Sequence, residues 1–505
     1  MDTYIGLWGW VWVVVFLTLF IGIGIWGMKK TSTDEDFAVA RGAYGPVTLA
    51  FAFAATIASG ATFMSLPGMA YSKGFSALWY PVVYPIAIYI GMILAIKLIK
   101  RAGDKFRSNS LPEFMGQRYN SNFLRIAFAF VSMLLVYYIA AQIVAAATIF
   151  EVLLGLNYQH GILASVAVIA LYITMGGSHA DIMTDGIQGI MMVLIALLIG
   201  VIFFMGVGFE GTGPSMINNA LVIQDPSLGW DNYLKEGDIL FGSFWLISLI
   251  FVAHIPFAMN PHIGKLAFAL KDPKQIRTFL LIAIPVGSIL GFTVLGGLHA
   301  RALFGDVIRP DQAIPVLFTQ LFPPFIAGLL GVGVLSAIMS TSDGLFISIA
   351  VIFSNDLYKK TFAPVIHKSK SKAQIEQIAL NISRVAIVLV GVVACWLAWN
   401  PPQFLAVLLW MGVGGILAGA TGPLLIGSLW RRATKTGAIA SFLVGVISFA
   451  VGIVYCFVLK EVPFKNPFAV AGSCIIAAAI TMVIVSLMTK PLPKQHVDDM
   501  FGESA

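Results

Sequence analysis

The chain has 505 residues, of which 59% are apolar and only 11% are charged. Soluble globular chains are usually about 45–50% apolar and about 25% charged, so this composition excludes a soluble enzyme, a disordered chain and a nucleic-acid-binding protein. The net charge of +7 alone could indicate an acidic binding partner, but the basic residues are distributed as in a membrane protein with one basic side. The composition predicts an integral membrane protein.

Thirteen apolar stretches are long enough to cross a bilayer, which takes about 20 residues of helix. Helices are expected because lipid offers no partner for unpaired backbone groups. The first stretch is interpreted as a span, since no basic residue precedes it and it is too long for a cleaved signal. Numbered from zero, the predicted spans are 5–28, 46–72, 77–99, 123–153, 160–176, 183–207, 239–260, 279–303, 323–354, 378–398, 402–430, 437–459 and 467–489.

Lysine and arginine are unevenly divided between the two sides of the membrane. With the N-terminus outside, the inner loops and tail carry 25 of the 31 basic residues, and the outer loops carry six. Because cytoplasmic loops are enriched in Lys and Arg, we expect the N-terminus outside and the C-terminus in the cytoplasm. The net charge is therefore an orientation signal, and residues 490–505 are expected to form a short, polar cytoplasmic tail.

Spans 1 and 6 are interrupted by small, polar and helix-breaking residues. Residues 54–62 of span 1 read AATIASGAT and precede Leu66-Pro67-Gly68, and residues 254–262 of span 6 read HIPFAMNPH. The two spans stand five apart and so run in opposite directions, which is typical of an inverted repeat of spans 1–5 and 6–10. A break frees carbonyls for a cation and N–H groups for an anion, so matching breaks predict a midplane binding site. The alternative is that each proline only kinks its helix.

Span 8 carries small and hydroxyl residues on one helix face. Ala337, Ser340, Thr341 and Gly344 fall at i, i+3, i+4 and i+7. Such a face suits a hard cation or the close packing of two helices, and the pattern leaves both open. Asp343 follows Ser340 by one turn, and a carboxylate inside a membrane costs roughly 2.5–3.5 kcal/mol and usually has a cation, a partner or a proton. A neutral, hydrogen-bonded Asp343 is the alternative.

Other polar side chains are expected inside the bundle. Asp185 lies near the inner end of span 5, where an ion released inward would pass, whereas Asp181 is interpreted as a helix-cap or loop charge. Gln142 in span 3 must face the bundle to satisfy its hydrogen-bonding groups, either as a core contact or as a solute contact. The sequence has no P-loop lysine motif, which argues against an ATP-driven pump.

Several motifs follow one another in a fixed order along the chain. They are the span 1 stretch ending in Leu66-Pro67-Gly68, LPEF at 111–114 with Arg118-Tyr119, Tyr172 through Gly176-Gly177 to Thr184-Asp185 and Gln188, AIMST at 337–341, and NDLY at 355–358. Together these motifs resemble the sodium/solute symporter family, which includes bacterial proline and pantothenate permeases and animal sodium/glucose transporters. The resemblance runs from span 0 through at least span 10, and the Pro261-His262 pair and residues 321–325 resemble the pantothenate and monocarboxylate branch.

The resemblance implies an all-α integral membrane protein with a LeuT-type 5+5 inverted repeat. One helix is added at the N-terminus and two at the C-terminus, which agrees with thirteen spans. The expected segments are the extra N-terminal helix 5–28, the first repeat 46–207, the second repeat 239–430, the two C-terminal helices 437–489 and the tail 490–505.

A sodium site is also implied by the resemblance. It would be formed by the backbone carbonyls of Ala55, Ala58 and Ala337 and by the hydroxyls of Ser340 and Thr341.

The resemblance also bears on a second cation and on the solute. It places Asp185 on the sodium exit route or in a second cation site. Asp343 would either strengthen that second cation site or bind a proton. Proline permeases carry an aspartate where this chain has Ile57, which counts against proline. The solute would lie between the broken part of span 1 and spans 2, 3, 6 and 10, and the candidates are Thr56, Ser59, Thr62, Trp79, Tyr80, Gln142, Asn260 and Trp410.

The resulting hypothesis is a secondary transporter, not an enzyme, in a bacterial inner membrane. It would import a small organic solute together with Na⁺ by alternating access, and the solute would be a carboxylate such as pantothenate or a monocarboxylate. Proton-coupled symport and sodium symport of proline or a sugar are the alternatives, and a passive channel or substrate sensor is a more distant one. The expected partners are the solute, Na⁺ and the bilayer, with no nucleic acid and no required protein partner.

Overall fold

Apolar runs and their interruptions determine the helices of this chain. The computed structural model describes residues 3–211, 213–400, 405–459 and 466–502. Within these ranges the chain is helical almost throughout, and the β-type pairing consists of one isolated bridge between Tyr44 and Leu270. The predicted all-α class is confirmed.

The long helices follow the predicted spans in order. Serine side chains cap several helices where the chain enters them; Ser110 and Ser243, for example, accept the third N–H of the helices that follow them. The long helices are Thr3–Lys30, Pro46–Ile57 with Leu66–Lys73, Trp79–Phe106, Asn122–Ser132 with Leu135–Leu154, Tyr158–Met205, Phe244–His254, Ile276–Ile289 with Thr293–Phe304, Pro324–Val351, Lys372–Ala398, Leu405–Ala420, Lys435–Ile453 and Pro467–Met488.

The number of membrane spans is lower when it is counted by helix length and apolarity. Among the described residues ten helices qualify, or eleven when Phe244–Met259 and Pro261–Ala269, bent by 51°, count as one span. The expected spans 46–72 and 160–176 begin with shorter apolar helices, Pro46–Ile57 and Tyr158–Ile169. The count of thirteen and the 5+5 repeat therefore stay predictions.

Spans 4 and 5 meet inside the helix Tyr158–Met205. Gly177 there has φ 53° and ψ −146°, a conformation that glycine adopts without the steric cost of a side chain. The ring and backbone of Phe37 occupy the space that a Cβ of Gly177 would need. The second glycine of the Gly176-Gly177 pair is thus required by a sharp turn between two membrane helices.

The helix of span 8 lies at the centre of the molecule. Every residue from 330 to 351 in Pro324–Val351 is buried, and the helix packs against spans 0, 1, 3, 5 and 9. Thr3–Lys30 instead exposes many large apolar side chains, as expected for a peripheral helix that contacts lipid. The polar face of span 8 is therefore enclosed by protein.

The segment predicted as a plain polar tail contains a docked helix, Lys494–Phe501. The Phe501 ring lies between the guanidinium groups of Arg118 and Arg431, at 4.9 and 5.3 Å. The backbone carbonyl of Phe501 also accepts a hydrogen bond from Arg101 at 2.7 Å. The apolar residues of the short helix and the basic side chains of two loops explain why this tail is ordered.

Candidate functional site

The break in span 1 leaves two backbone carbonyls without their helical partners. The helix Pro46–Ile57 ends at Ala58, which has φ −77° and ψ 76°. The N–H of Ser59 turns to the carbonyl of Ile57 at 2.9 Å, and the N–H of Gly60 donates to Gln142 Oε1 at 2.9 Å. In a continuous helix these two N–H groups would have bonded the carbonyls of residues 55 and 56.

Span 8 supplies new partners to both carbonyls. Ser340 Oγ lies 3.1 Å from the carbonyl oxygen of Ala55 and 3.0 Å from that of Ala337. Thr341 Oγ1 donates to the carbonyl of Thr56 at 3.1 Å. The predicted hydroxyl face of span 8 therefore meets the predicted break of span 1.

Four of the five residues expected in the sodium site lie at this contact. Ala55, Ala337 and Ser340 converge directly, while Thr341 bonds Thr56 instead of Ala58. Ala58 is buried at the end of the same helix. Carbonyl and hydroxyl oxygens are the ligands that hard cations take, so the residues present fit a Na⁺ ion.

Three buried carboxylates form a cluster beside this contact. Asp181, Asp185 and Asp343 each offer an oxygen within 4.8 Å of the others. Asp185 Oδ2 accepts a hydrogen bond from Thr56 Oγ1 at 2.9 Å. Because the carbonyl of Thr56 bonds Thr341, Thr56 joins the acidic cluster to the predicted sodium site.

The interpretation of Asp181 as a cap or loop charge was wrong. Asp181 is 2% exposed inside the helix Tyr158–Met205, and its Oδ2 lies 3.1 Å from Nζ of the equally buried Lys265. Lys265 stands 84 residues away, so local sequence could not reveal the pair. Within the described residues, no hydrogen bond reaches Oδ1 of Asp181 or of Asp185, and buried atoms of this kind call for a water or an ion.

A small cavity of about 40 Å³ lies beside the span 1 break. It is rich in aromatic and hydroxyl groups. Four predicted solute contacts line it, namely Ser59, Thr62, Tyr80 and Trp410. Its other lining residues are Ile57, Ala61, Ser65, Leu66, Met69, Tyr84, Ile88, Tyr138, His254, Phe257 and Leu409.

The other four predicted solute contacts do not line this cavity. Thr56 donates a hydrogen bond to Asp185, and Gln142 accepts a hydrogen bond from the backbone N–H of Gly60. Asn260 begins the helix Pro261–Gly264 after the break in span 6. The indole N–H of Trp79 donates to the backbone carbonyl of Tyr233 at 2.9 Å.

Four polar cavity residues were not among the predicted solute contacts, namely Ser65, Tyr84, Tyr138 and His254. Tyr84 is one turn beyond Tyr80 on the same helix, and His254 ends the helix before the span 6 break. Their nearness in sequence to Tyr80 or to a helix break was the signal that could have placed them in the solute site. Two broken helices, a buried carbonyl and hydroxyl contact that fits a cation, and an adjacent cavity are together typical of a cation-coupled secondary transporter.

Comparisons with known proteins agree with this class. The model of the sodium:solute symporter family matches residues 37–445. The sodium/pantothenate symporter of Escherichia coli (strain K12) is 28% identical over 447 residues, which cover 86% of this chain and 88% of that protein. The high-affinity proline transporter of Bacillus subtilis (strain 168) is 28% identical over 499 residues, covering 95% and 98%.

Solved structures share the fold at low sequence identity. A Na⁺-coupled sialic acid symporter in a substrate-bound, outward-open state has a TM-score of 0.76 at 18% identity and covers 97% of this chain and 100% of its own. A nucleobase-cation-symport-1 family transporter has a TM-score of 0.51 at 15% identity, with 93% and 99% covered.

The chain belongs to the sodium:solute symporter family, as the sequence motifs predicted. It is a secondary transporter and not an enzyme. Membership of this family implies coupling to sodium and co-transport of a solute.

Proposed function

We propose that this protein imports a small organic solute together with Na⁺ by alternating access in a bacterial inner membrane. The observation that carries the proposal is the pair of hydroxyls, Ser340 and Thr341, on the two carbonyls that the span 1 break releases. A Na⁺ ion there would be held by Ala55, Ala58, Ala337, Ser340 and Thr341. The ion would take the place of the hydroxyl hydrogens that now bond the carbonyl oxygens.

Binding of the cation and binding of the solute would be coupled because the span 1 break borders both sites. The cation binds carbonyls on one side of the break, and Ser59 and Thr62 on its other side line the cavity. A cation that fixes span 1 against span 8 therefore also fixes one wall of the solute site. Sodium entering with the membrane potential contributes about 2.3 kcal/mol per charge per 100 mV, which drives uptake if only the loaded and the empty forms reorient.

The proposed solute is a small organic carboxylate such as pantothenate or a monocarboxylate. Hydroxyl groups and aromatic faces line the cavity, which suits a solute with an apolar body and a few hydrogen-bonding groups. Ile57, at the position where proline permeases carry an aspartate, lines the cavity with an apolar side chain and disfavours proline. A cavity of about 40 Å³ holds water only, so loading requires the aromatic walls to separate.

Asp185 and Asp343 are proposed as a second cation site or as the exit route of sodium. Three carboxylates within 4.8 Å repel one another strongly unless a cation or a proton is shared among them. Lys265 compensates one charge through Asp181. A proton in this cluster would make the carrier proton-coupled, and this is the second candidate function.

An uptake screen in inside-negative membrane vesicles tests the proposal. Labelled pantothenate, acetate, pyruvate, proline and a sugar are offered with Na⁺ or with choline at fixed pH. We expect one carboxylate to accumulate above its outside concentration only with Na⁺. Accumulation that persists in choline and follows the pH gradient supports proton coupling, whereas equilibration without accumulation indicates a channel, and no uptake indicates a sensor.

A further inference from the structure

His254 is held rigidly at the wall of the cavity by aromatic rings. Its imidazole is 2% exposed and stacks between Phe257 and Phe468, with centroid distances of 5.7 Å on both sides and interplanar angles of 25° and 24°. The ring of Trp410 meets it edge-on at 5.0 Å. The orientation of the imidazole is therefore fixed by packing and not by the solute.

Two hydrogen bonds identify which ring nitrogen carries the proton. His254 Nδ1 lies 2.7 Å from the carbonyl oxygen of Ile250, which can only accept, so Nδ1 must be the donor. Both ring nitrogens have uncharged partners, and a buried, unpaired charge is costly, so the imidazole is neutral. Its Nε2 is then an acceptor.

The hydroxyl group of Tyr80 is consequently oriented. It lies 3.0 Å from His254 Nε2 and must donate its proton there. Tyr80 lines the cavity, so it presents the solute with an oxygen lone pair and no proton.

We propose that His254 is a positioning residue that makes Tyr80 a hydrogen-bond acceptor, so that the transported solute carries a hydroxyl or amide N–H donor. This inference rests on the proposed function and narrows its solute class to hydroxy or amide-bearing carboxylates. A 2-oxo acid would instead direct a carbonyl lone pair at the lone pair of Tyr80. Discrimination between a hydroxy acid and its 2-oxo analogue is therefore built into the site.

Matched pairs of acids test this orientation. The full-length protein in lipid nanodiscs with Na⁺ is titrated with lactate and pyruvate, and with pantoate and its 2-oxo analogue, while thermal unfolding reports binding. We expect the hydroxy member of a pair to bind about tenfold more tightly than the oxo member, the effect of about one buried hydrogen bond. The quantity compared between variants is the ratio of the affinities for the hydroxy acid and the oxo acid. A general loss of stability affects both affinities and cancels in this ratio.

Three variants separate positioning from packing. His254→Phe keeps the stacked aromatic ring but removes the acceptor, so the Tyr80 proton is released and the ratio falls to about one or inverts. His254→Gln supplies an acceptor oxygen and keeps the preference for the hydroxy acid. Tyr80→Phe removes the preference whichever residue stands at position 254.

Three results would overturn the inference. They are equal or tighter binding of the oxo acids by the unmodified protein, an unchanged ratio in His254→Phe, and binding of neither pair. Sodium-dependent uptake of another solute in the vesicle screen would then leave the proposed function intact. Loss of sodium-dependent uptake for every solute would contradict the proposed function itself.

Discussion

At the scale of single residues, Lys265 and Asp181 form a buried ion pair near the site. Both side chains are almost fully buried and their charged atoms lie 3.1 Å apart. Removing one partner of such a pair leaves a buried charge unpaired and typically costs about 3–5 kcal/mol, whereas removing both costs much less.

We therefore expect Asp181→Asn and Lys265→Met each to lower the thermal stability of the purified protein strongly. The double variant is expected to recover most of the loss. Thermal unfolding in detergent measures all three. Additive losses in the double variant would show that the two side chains do not stabilise each other.

Asp343 gives a second prediction at this scale. If it belongs to a second cation site, Asp343→Asn removes a ligand charge and changes the number of charges that enter with each solute molecule. Simultaneous measurement of current and labelled uptake in proteoliposomes gives this ratio. A ratio equal to that of the unmodified protein would assign Asp343 a structural role.

Residue-level prediction is strongest where chemistry follows a local pattern. The hydroxyl face of Ser340 and Thr341 could be recognised because hydroxyl and small residues recur at helical spacing, whereas Ala55 was implied only by the family resemblance. The contacts of Trp79 with Tyr233 and of Asp181 with Lys265 could not be predicted, because the partners are distant in sequence. Tertiary contacts, not residue type, decide such positions.

At the scale of elements, both broken spans rest on glycines of neighbouring helices. A Cβ on Gly91 would collide with the carbonyl oxygen of Ile255 at the span 6 break. A Cβ on Gly297 would likewise collide with the carbonyl oxygen of Pro67 in span 1. The backbones at these breaks can approach their neighbours only because no side chain intervenes.

Gly91→Ala is expected to lower thermal stability and transport together, because overpacking costs about 1–3 kcal/mol and a backbone oxygen cannot move aside easily. Gly22→Ala is the matched control, since nothing lies within 4 Å of the added methyl group. Equal stability of the two variants, measured by thermal unfolding, would contradict the close packing of span 2 on the span 6 break.

The loop that contains Asp311 packs against Gly68 of span 1 and gives a pH prediction. Burial raises the pKa of Asp311 to about 6, partly opposed by Arg309. A raised pKa means that the folded state binds the proton more tightly, so this contribution to stability is present at low pH and is lost as pH rises through about 6.

We expect the unmodified protein to gain thermal stability between pH 7.5 and pH 5 relative to Asp311→Asn, which cannot titrate at this position. Comparing the two proteins in the same buffers removes the effects of other groups. Parallel pH profiles would show that Asp311 is not buried against the loop.

Element-level prediction found both breaks because Gly, Pro and hydroxyl residues interrupt otherwise apolar runs. It missed the helix Lys494–Phe501, since eight mostly polar residues carry no membrane signal. That helix is stabilised by Arg118 and Arg431 from other parts of the chain. Its formation is therefore a tertiary effect that local sequence does not report.

At the scale of the whole molecule, composition was sufficient for the membrane class and motif order for the family. The number of spans was harder to predict. A broken helix forms one long apolar run in the sequence but two or more short helices in the structure. The orientation rests on the basic residues of the loops. The docking of Lys494–Phe501 on Arg101 and Arg118 places the tail beside loops that were assigned to the same side.

Single cysteines test that orientation in intact cells, with the three native cysteines replaced. We expect an impermeant maleimide to label Glu236→Cys directly and Ser369→Cys only after permeabilisation, because these exposed positions lie in loops assigned to opposite sides. The reverse labelling pattern would invert the predicted topology.

The central claim is that a cation is held between the broken first helix of the repeat and the hydroxyl face of span 8. The most direct test is the sodium dependence of uptake in proteoliposomes for Ser340→Ala and Thr341→Ala, with Ser342→Ala as the control. The hydroxyl of Ser342 bonds Ile338 within its own helix at 2.8 Å and does not reach span 1.

We expect the sodium concentration for half-maximal uptake to rise about tenfold or more in the first two variants, since each loses a hydroxyl that would contact a charge. The control should match the unmodified protein. Unchanged sodium dependence in both Ser340→Ala and Thr341→Ala would contradict the account.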